Sequence, residues 1–224
     1  MEDREIVEWN IQQSKQAIKK SLLKDKIIIF FTRLIEDMRR YNNPNFYGRL
    51  KEMFLLIYPY SGEERPKEIY RQIKDSDLKS EEGLSLDKEE ISYVRFFLDS
   101  LDEQCKLKNR KETEKELENI LEKLMKKYLP NSSALIESYL LGKLISSVGG
   151  IKNLSRFPSS TIQLIGAEKA LFMHISKHRQ CPKHGLIFYA GSVRQAENPG
   201  KAARQLANKL ALSIRVDYFQ NAQK

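Results

Sequence analysis

The residues whose types could do chemistry gather between positions 174 and 184. His174, His178, Cys181 and His184 follow one another at steps of four, three and three, a range in which a metal site can form. His174 and His178 would share one face of a helix. Lys177, Arg179 and Lys183 are interleaved with them, which adds positive charge where a cation would have to bind, and Pro182 stiffens the chain. The set reads better as a basic loop facing an anion than as a metal centre, so no metal is expected. A nucleotide-phosphate loop needs glycines packed between a strand and a helix, and Gly149, Gly150 and Gly191 do not fit that pattern. No serine sits in a recognisable nucleophile elbow. The expectation is a non-enzymatic protein with no catalytic residue and no cofactor.

Charge says more. The chain carries a net +9, and residues 131–224 hold 13 Lys and Arg against 4 Asp and Glu. That balance accounts for the whole excess, because the first 130 residues are neutral. A polyanion, nucleic acid first, is the partner this half predicts. Its cations include Lys169, Lys183, Lys201, Arg204, Lys209 and Arg215.

The elements that must position them read as helices, and the fold class is all-α. Only ten glycines and seven prolines interrupt 224 residues rich in Lys, Glu, Leu and Ile. Ile27, Ile28, Phe31, Leu34, Ile35 and Met38 keep helical spacing. The run 42–44, Asn-Asn-Pro, invites a break, after which Phe46, Leu50, Met53, Phe54 and Ile57 resume the stripe. Residues 60–87 form a polar connector with a short helix at about 66–74. Asp87 then opens a long helix to Tyr128, whose two apolar ends (Val94 to Cys105, Leu117 to Tyr128) flank a nearly all-charged stretch, 106–116. Two long stripes joined by a reversing connector predict an antiparallel helical hairpin. Pro130 marks a boundary, giving domains at 1–130 and 131–224. The second domain predicts helices at 133–149, 151–156 and 167–177, a basic loop at 178–185, and a final helix at about 201–214. In that helix Ala202, Leu206, Leu210 and Ile214 fall in line, and Lys201, Arg204, Lys209 and Arg215 lie off it. No run is apolar enough to cross a membrane, and the charged N-terminus is no secretory signal. Two cysteines, Cys105 and Cys181, suit a reducing compartment, so a cytoplasmic location is expected, nuclear or nucleolar in a eukaryote.

The wording of three segments is more specific than their chemistry. PSSTIQLIGAEKALF at 158–172, PKHG at 182–185 and GKAARQLANKLALSIRVDYF at 200–219 closely resemble the Nop domain. That domain belongs to the Nop proteins of archaeal and eukaryotic box C/D ribonucleoproteins and to their spliceosomal, pre-mRNA-processing relative. The resemblance is strong over about 132–219; upstream, the hairpin resembles the family's coiled-coil domain, with Asp25-Lys26-Ile27-Ile28 like the opening of its first long helix. It implies a protein that recognises a kink-turn RNA already bound by a small ribosomal-protein-like partner. Gly166, Ala167 and Glu168 would form the protein-facing part of that joint surface, with Lys169 beside them on the RNA. Lys183 and His184 would lie against the RNA stem. Arg204 and Arg215 match arginines that face RNA in relatives, with Lys201 and Lys209 as nearby phosphate contacts. The hairpin would serve self-association or the docking of another partner. Two departures bear on methylation guiding: about 25 residues precede the coiled-coil resemblance, where methylation members carry a fibrillarin-docking domain, and Met173 stands where an arginine usually follows GAEKALF. Fibrillarin is therefore not expected as a partner, and the chain resembles a short, archaeal-type member. The rival reading is a protein–protein adaptor that works through the hairpin and leaves the basic half unused for RNA.

Overall fold

The computed structural model describes residues 3–41, 46–57, 71, 88–102 and 106–222, and the regular elements among them are helices, with no strand. The break at 42–44, the connector 60–87 with its short helix apart from residue 71, the Asp87 cap and Cys105 lie outside the described residues. The chain divides into two compact units, one drawn from residues 1–30 and 34–117, the other from 31–33 and 118–224. The division thus falls inside a helix, at Leu117/Glu118.

The first unit holds α1 (Asp3–Arg40), α2 (Tyr47–Ile57), α3 (Lys88–Asp99) and the start of α4 (Arg110–Tyr128). Its core is the predicted stripe: Leu34, Ile35 and Met38 of α1 are buried, with Phe46, Leu50 and Met53 around α2 and Val94, Phe97 and Leu98 of α3. Phe97 meets Phe30 and Phe46 edge-on, at centroid distances of 5.9 and 5.7 Å, the arrangement that ring quadrupoles favour. At the rim, Arg49 of α2 donates to Asp37 at 2.7 Å and Glu52 at 3.0 Å. Burial works against the Arg49 charge, but those two carboxylates outweigh it and its pKa is raised above the usual arginine value.

The single helix expected over 87–128 is broken. α3 stops at Asp99, and an antiparallel bridge joins Leu101 to Leu107 before α4 begins. Short polar side chains compete for the backbone here. Asp102 exchanges bonds with Lys106 (backbone N–H to O at 2.8 Å, and Lys106 N–H to the Asp102 carboxylate at 2.9 Å). Ser100 spends its hydroxyl on the Phe97 carbonyl. Asn109 restarts the helix, its carbonyl taking the Thr113 hydroxyl and its amide reaching Glu112.

The second unit is arranged around α11 (Pro199–Ala222), which is longer at both ends than the expected 201–214. Against it pack α5 (Pro130–Ser133), α7 (Ile151–Arg156), α8 (Ser159–Leu164), α10 (Gly191–Arg194) and the 3₁₀ turn Leu186–Tyr189. The face it buries is Ala203, Leu206, Ala207, Leu210, Ala211 and Ile214. The small alanines let the short helices approach closely. α6 (Ser138–Val148) starts later than the expected 133, because residues 134–137 leave the helix and Glu137 sits in extended backbone. It lies close to α1 residue Thr32: a Cβ on Gly142 would stand 2.2 Å from the Thr32 hydroxyl oxygen. α9 (Glu168–Lys177) buries no side chain.

Asp217 ties α11 to α5. Fully buried, its carboxylate accepts the backbone N–H groups of Asn131 (3.1 Å) and Ser132 (2.9 Å), the Asn131 amide (2.7 Å) and the Ser132 hydroxyl (2.6 Å). Both the N–H and the hydroxyl of Ser132 are thus committed to Asp217. Asp217→Ala should strand several buried donors and cost about 2–4 kcal/mol, read as a lower urea midpoint at unchanged m-value. A midpoint within experimental error of the parent would refute the role.

Candidate nucleic-acid interface

α8 begins after extended Pro158, whose carbonyl accepts the N–H groups of Thr161 and Ile162. Buried Ile162 and Ile165 seat it. The chain then reverses at Gly166, with φ of +86°, a conformation glycine reaches without strain. Leu186 closes over it, since a Cβ there would lie 2.6 Å from Leu186 Cγ. Ala167 donates back to Leu164, and Glu168 turns its carboxylate onto the Gly166 N–H at 2.7 Å. Gly166, Ala167 and Glu168 thus form one tight turn, with exposed Lys169 as the next side chain.

α9 ends at His178, in the left-handed region at φ 50°, and the basic loop returns to α8. Gln163 grips it twice: its amide donates to the Lys183 carbonyl at 2.5 Å, and its own carbonyl accepts the Gly185 N–H at 2.8 Å. Leu186 N–H adds a bond to Ile165 at 2.7 Å. The approach leaves no room at Gly185, where a Cβ would stand 2.0 Å from the Ile165 oxygen. His184 stacks on Phe188, with ring centroids 4.4 Å apart and 15° between planes. On the far side, Asn198 caps α11: its side chain takes the Lys201 N–H at 3.1 Å and its carbonyl the Ala202 N–H.

Between these parts lies an open groove of about 680 Å³. Lys183, Lys201 and Arg204 line it together with Ser160, Gln163, Cys181 and Asn198, and none of its lining residues is acidic. Three of the predicted cations therefore converge. Lys169 and Lys209 are exposed but stand outside the groove's lining, as does His184. Arg215 is half-buried and donates to the carbonyls of Ser155 (3.1 Å) and Phe157 (3.2 Å). Those two bonds close the end of α7 against α11.

The histidine set does not gather: among the described residues no three potential ligands converge. His174 pairs with the Arg179 carbonyl, His178 serves the helix end and His184 the aromatic stack. Sequence reasoning missed Ser160 and Asn198. For Asn198 a signal was present, an asparagine followed by proline and glycine at a helix start, and reading it would have placed the start of α11 at Pro199.

The Nop family model, described as snoRNA binding domain, fibrillarin, matches residues 30–224. Among curated relatives, a putative nucleolar protein 5-3 of Arabidopsis thaliana is 49% identical over 105 residues, 46% of this chain and 23% of its own length. Nucleolar protein 58 of Neurospora crassa is 45% identical over 105 residues, 46% and 18% of the two chains. An uncharacterized NOP5 family protein of Methanocaldococcus jannaschii is 32% identical over 94% of this chain and 56% of its own. The chain thus spans between about a fifth and just over half of these relatives. A solved fibrillarin/Nop5p complex matches 97% of this chain and 71% of its own at 22% identity, with a TM-score of 0.47. The expectation that excluded fibrillarin finds no support, since the family's own description names it. A cytoplasmic location also draws no support from relatives named nucleolar proteins. Matched from residue 30 to its last residue, the chain belongs to the Nop family.

Proposed function

We propose that this chain is a non-catalytic RNA-binding assembly protein. It recognises a kink-turn RNA on which a small ribosomal-protein-like partner already sits, as in box C/D or splicing-type ribonucleoproteins. The observation that carries this is the groove: Lys183, Lys201 and Arg204 share one concave surface that has no carboxylate in its lining. Such a surface suits phosphates, with arginine able to pair two-pronged and the lysines acting as point charges. Lys169, His184 and Lys209 extend the contact along the RNA. Gly166, Ala167 and Glu168 meet the small protein at the tip of the turn. The helices of the first unit serve self-association.

A gel shift with a kink-turn RNA, with and without the small kink-turn-binding protein, tests this. Binding to the preformed complex alone is expected; equal binding to bare RNA would reduce the chain to a generic basic binder. Lys201→Ala combined with Arg204→Ala should weaken the complex about 10–100-fold and make its salt dependence shallower by about 2 in log–log slope. An unchanged slope would pass the function to the helical hairpin as an adaptor. Gly185→Ala should cost about 2 kcal/mol and weaken RNA binding without touching a cation. Hydrogen exchange at 178–185 would report the loosened loop, and unchanged protection there would refute the part assigned to Gly185.

A further inference from the structure

Ser160 shares the groove with the three cations, yet holds nothing in place. It is exposed and sits in the first turn of α8, with Ser159 between it and the extended pair Phe157 (φ −73°, ψ 140°) and Pro158 (φ −68°, ψ 155°). The nearby Ser155 hydroxyl donates to the Lys152 carbonyl, while Ser159 makes no such bond among the described residues and stands outside the groove's lining. Among the described residues no such bond is formed by Ser160.

We propose that Ser160 is a phosphorylation site, and that the phosphate placed there pairs with Lys183, Lys201 and Arg204 and closes the groove to nucleic acid. The co-reactants are a serine kinase and a nucleoside triphosphate. Ser160 Oγ forms a bond to the γ-phosphorus and the bond from that phosphorus to the β–γ bridging oxygen breaks. The nucleoside diphosphate leaves with that electron pair, and the hydroxyl proton passes to the kinase's base. The product carries about −1.5 to −2 charge at neutral pH and three strong acceptor oxygens. Its lining neighbours offer it cations and no competing carboxylate. Being attached to the chain, it meets those cations at a millimolar-scale effective concentration that a diffusing RNA phosphate must overcome. Because the Ser160 side chain lies outside the core, the modification leaves the packing of Ile162 alone.

This inference rests on the RNA reading of the groove, and the experiment separates the two. The full chain is made with phosphoserine at position 160. In a ³¹P NMR titration its second pKa should fall below the ordinary value of about 6 and return toward it with Lys183→Ala plus Arg204→Ala. An ordinary value in the parent chain overturns the pairing, whether or not RNA binds. In the gel shift, the phosphorylated chain should bind the kink-turn complex at least about tenfold more weakly, with a salt slope shallower by about 2, and phosphatase should restore both. Phosphoserine at Ser147, on α6 outside the groove, controls for added charge. Equal binding by the two forms at 160 overturns the switch. Unmodified chain that binds no RNA defeats the RNA reading instead, with the titration still deciding the pairing. Incubation of the full chain with serine kinases and ATP, followed by phosphopeptide mapping, tests the acceptor. Labelling of other exposed serines with none at Ser160 overturns the assignment.

Discussion

The buried carboxylate of Asp217 sets the geometry on which the second unit depends. An ionised group out of contact with water is costly unless its lone pairs are met, and here four donors from Asn131 and Ser132 meet them. Those donors come from the first turn of α5, where backbone N–H groups have no helical partner of their own. The same contact that settles the charge therefore also caps α5 and fixes the rotation of α11. Once that rotation is set, Ala203, Ala207 and Ala211 face inward, and Lys201 and Arg204 stand outward at the groove. A helix turned by a quarter would bury cations and expose the alanine seam.

The other wall of the groove is positioned by backbone rather than by side-chain packing. Gly185 lets the basic loop lie against Ile165 at a separation no Cβ would tolerate, and Gly166 bends the chain so that Leu186 can close over it. Gln163 then holds the loop at Lys183 and Gly185. Cations gathered without a counter-ion repel one another, so the free groove carries an electrostatic cost that an anionic ligand relieves. Exposure to water keeps that cost low enough for the fold to bear. Affinity generated this way is steeply dependent on salt.

Arginines of this chain show why residue type alone does not assign a role. Arg204 and Arg215 lie on one helix, yet the first lines the groove and the second holds the end of α7 through two carbonyls. Arg49 is held between Asp37 and Glu52 in the first unit. Each guanidinium offers the same five donors. What differs is which acceptors the fold brings within reach.

Much of this was legible in the sequence. The apolar stripes of α1 and α2, the short α7, the basic loop, the charge confined to residues 131–224 and the family wording of 158–172, 182–185 and 200–219 are local patterns. Local patterns follow from spacing and composition. The break between α3 and α4 was written there too, in Ser100, Asp102 and Asn109, but apolar periodicity on either side masked it. Tertiary structure decided the rest. That Lys183 joins Lys201 and Arg204 while Arg215 turns to backbone, that Asp217 receives Ser132, and that four candidate metal ligands go separate ways all depend on distant segments meeting. Helical spacing assigns a residue to a face; which face meets which acceptor is settled only when the packed core fixes each helix's rotation, since buried polar groups must find partners and small residues must find close neighbours.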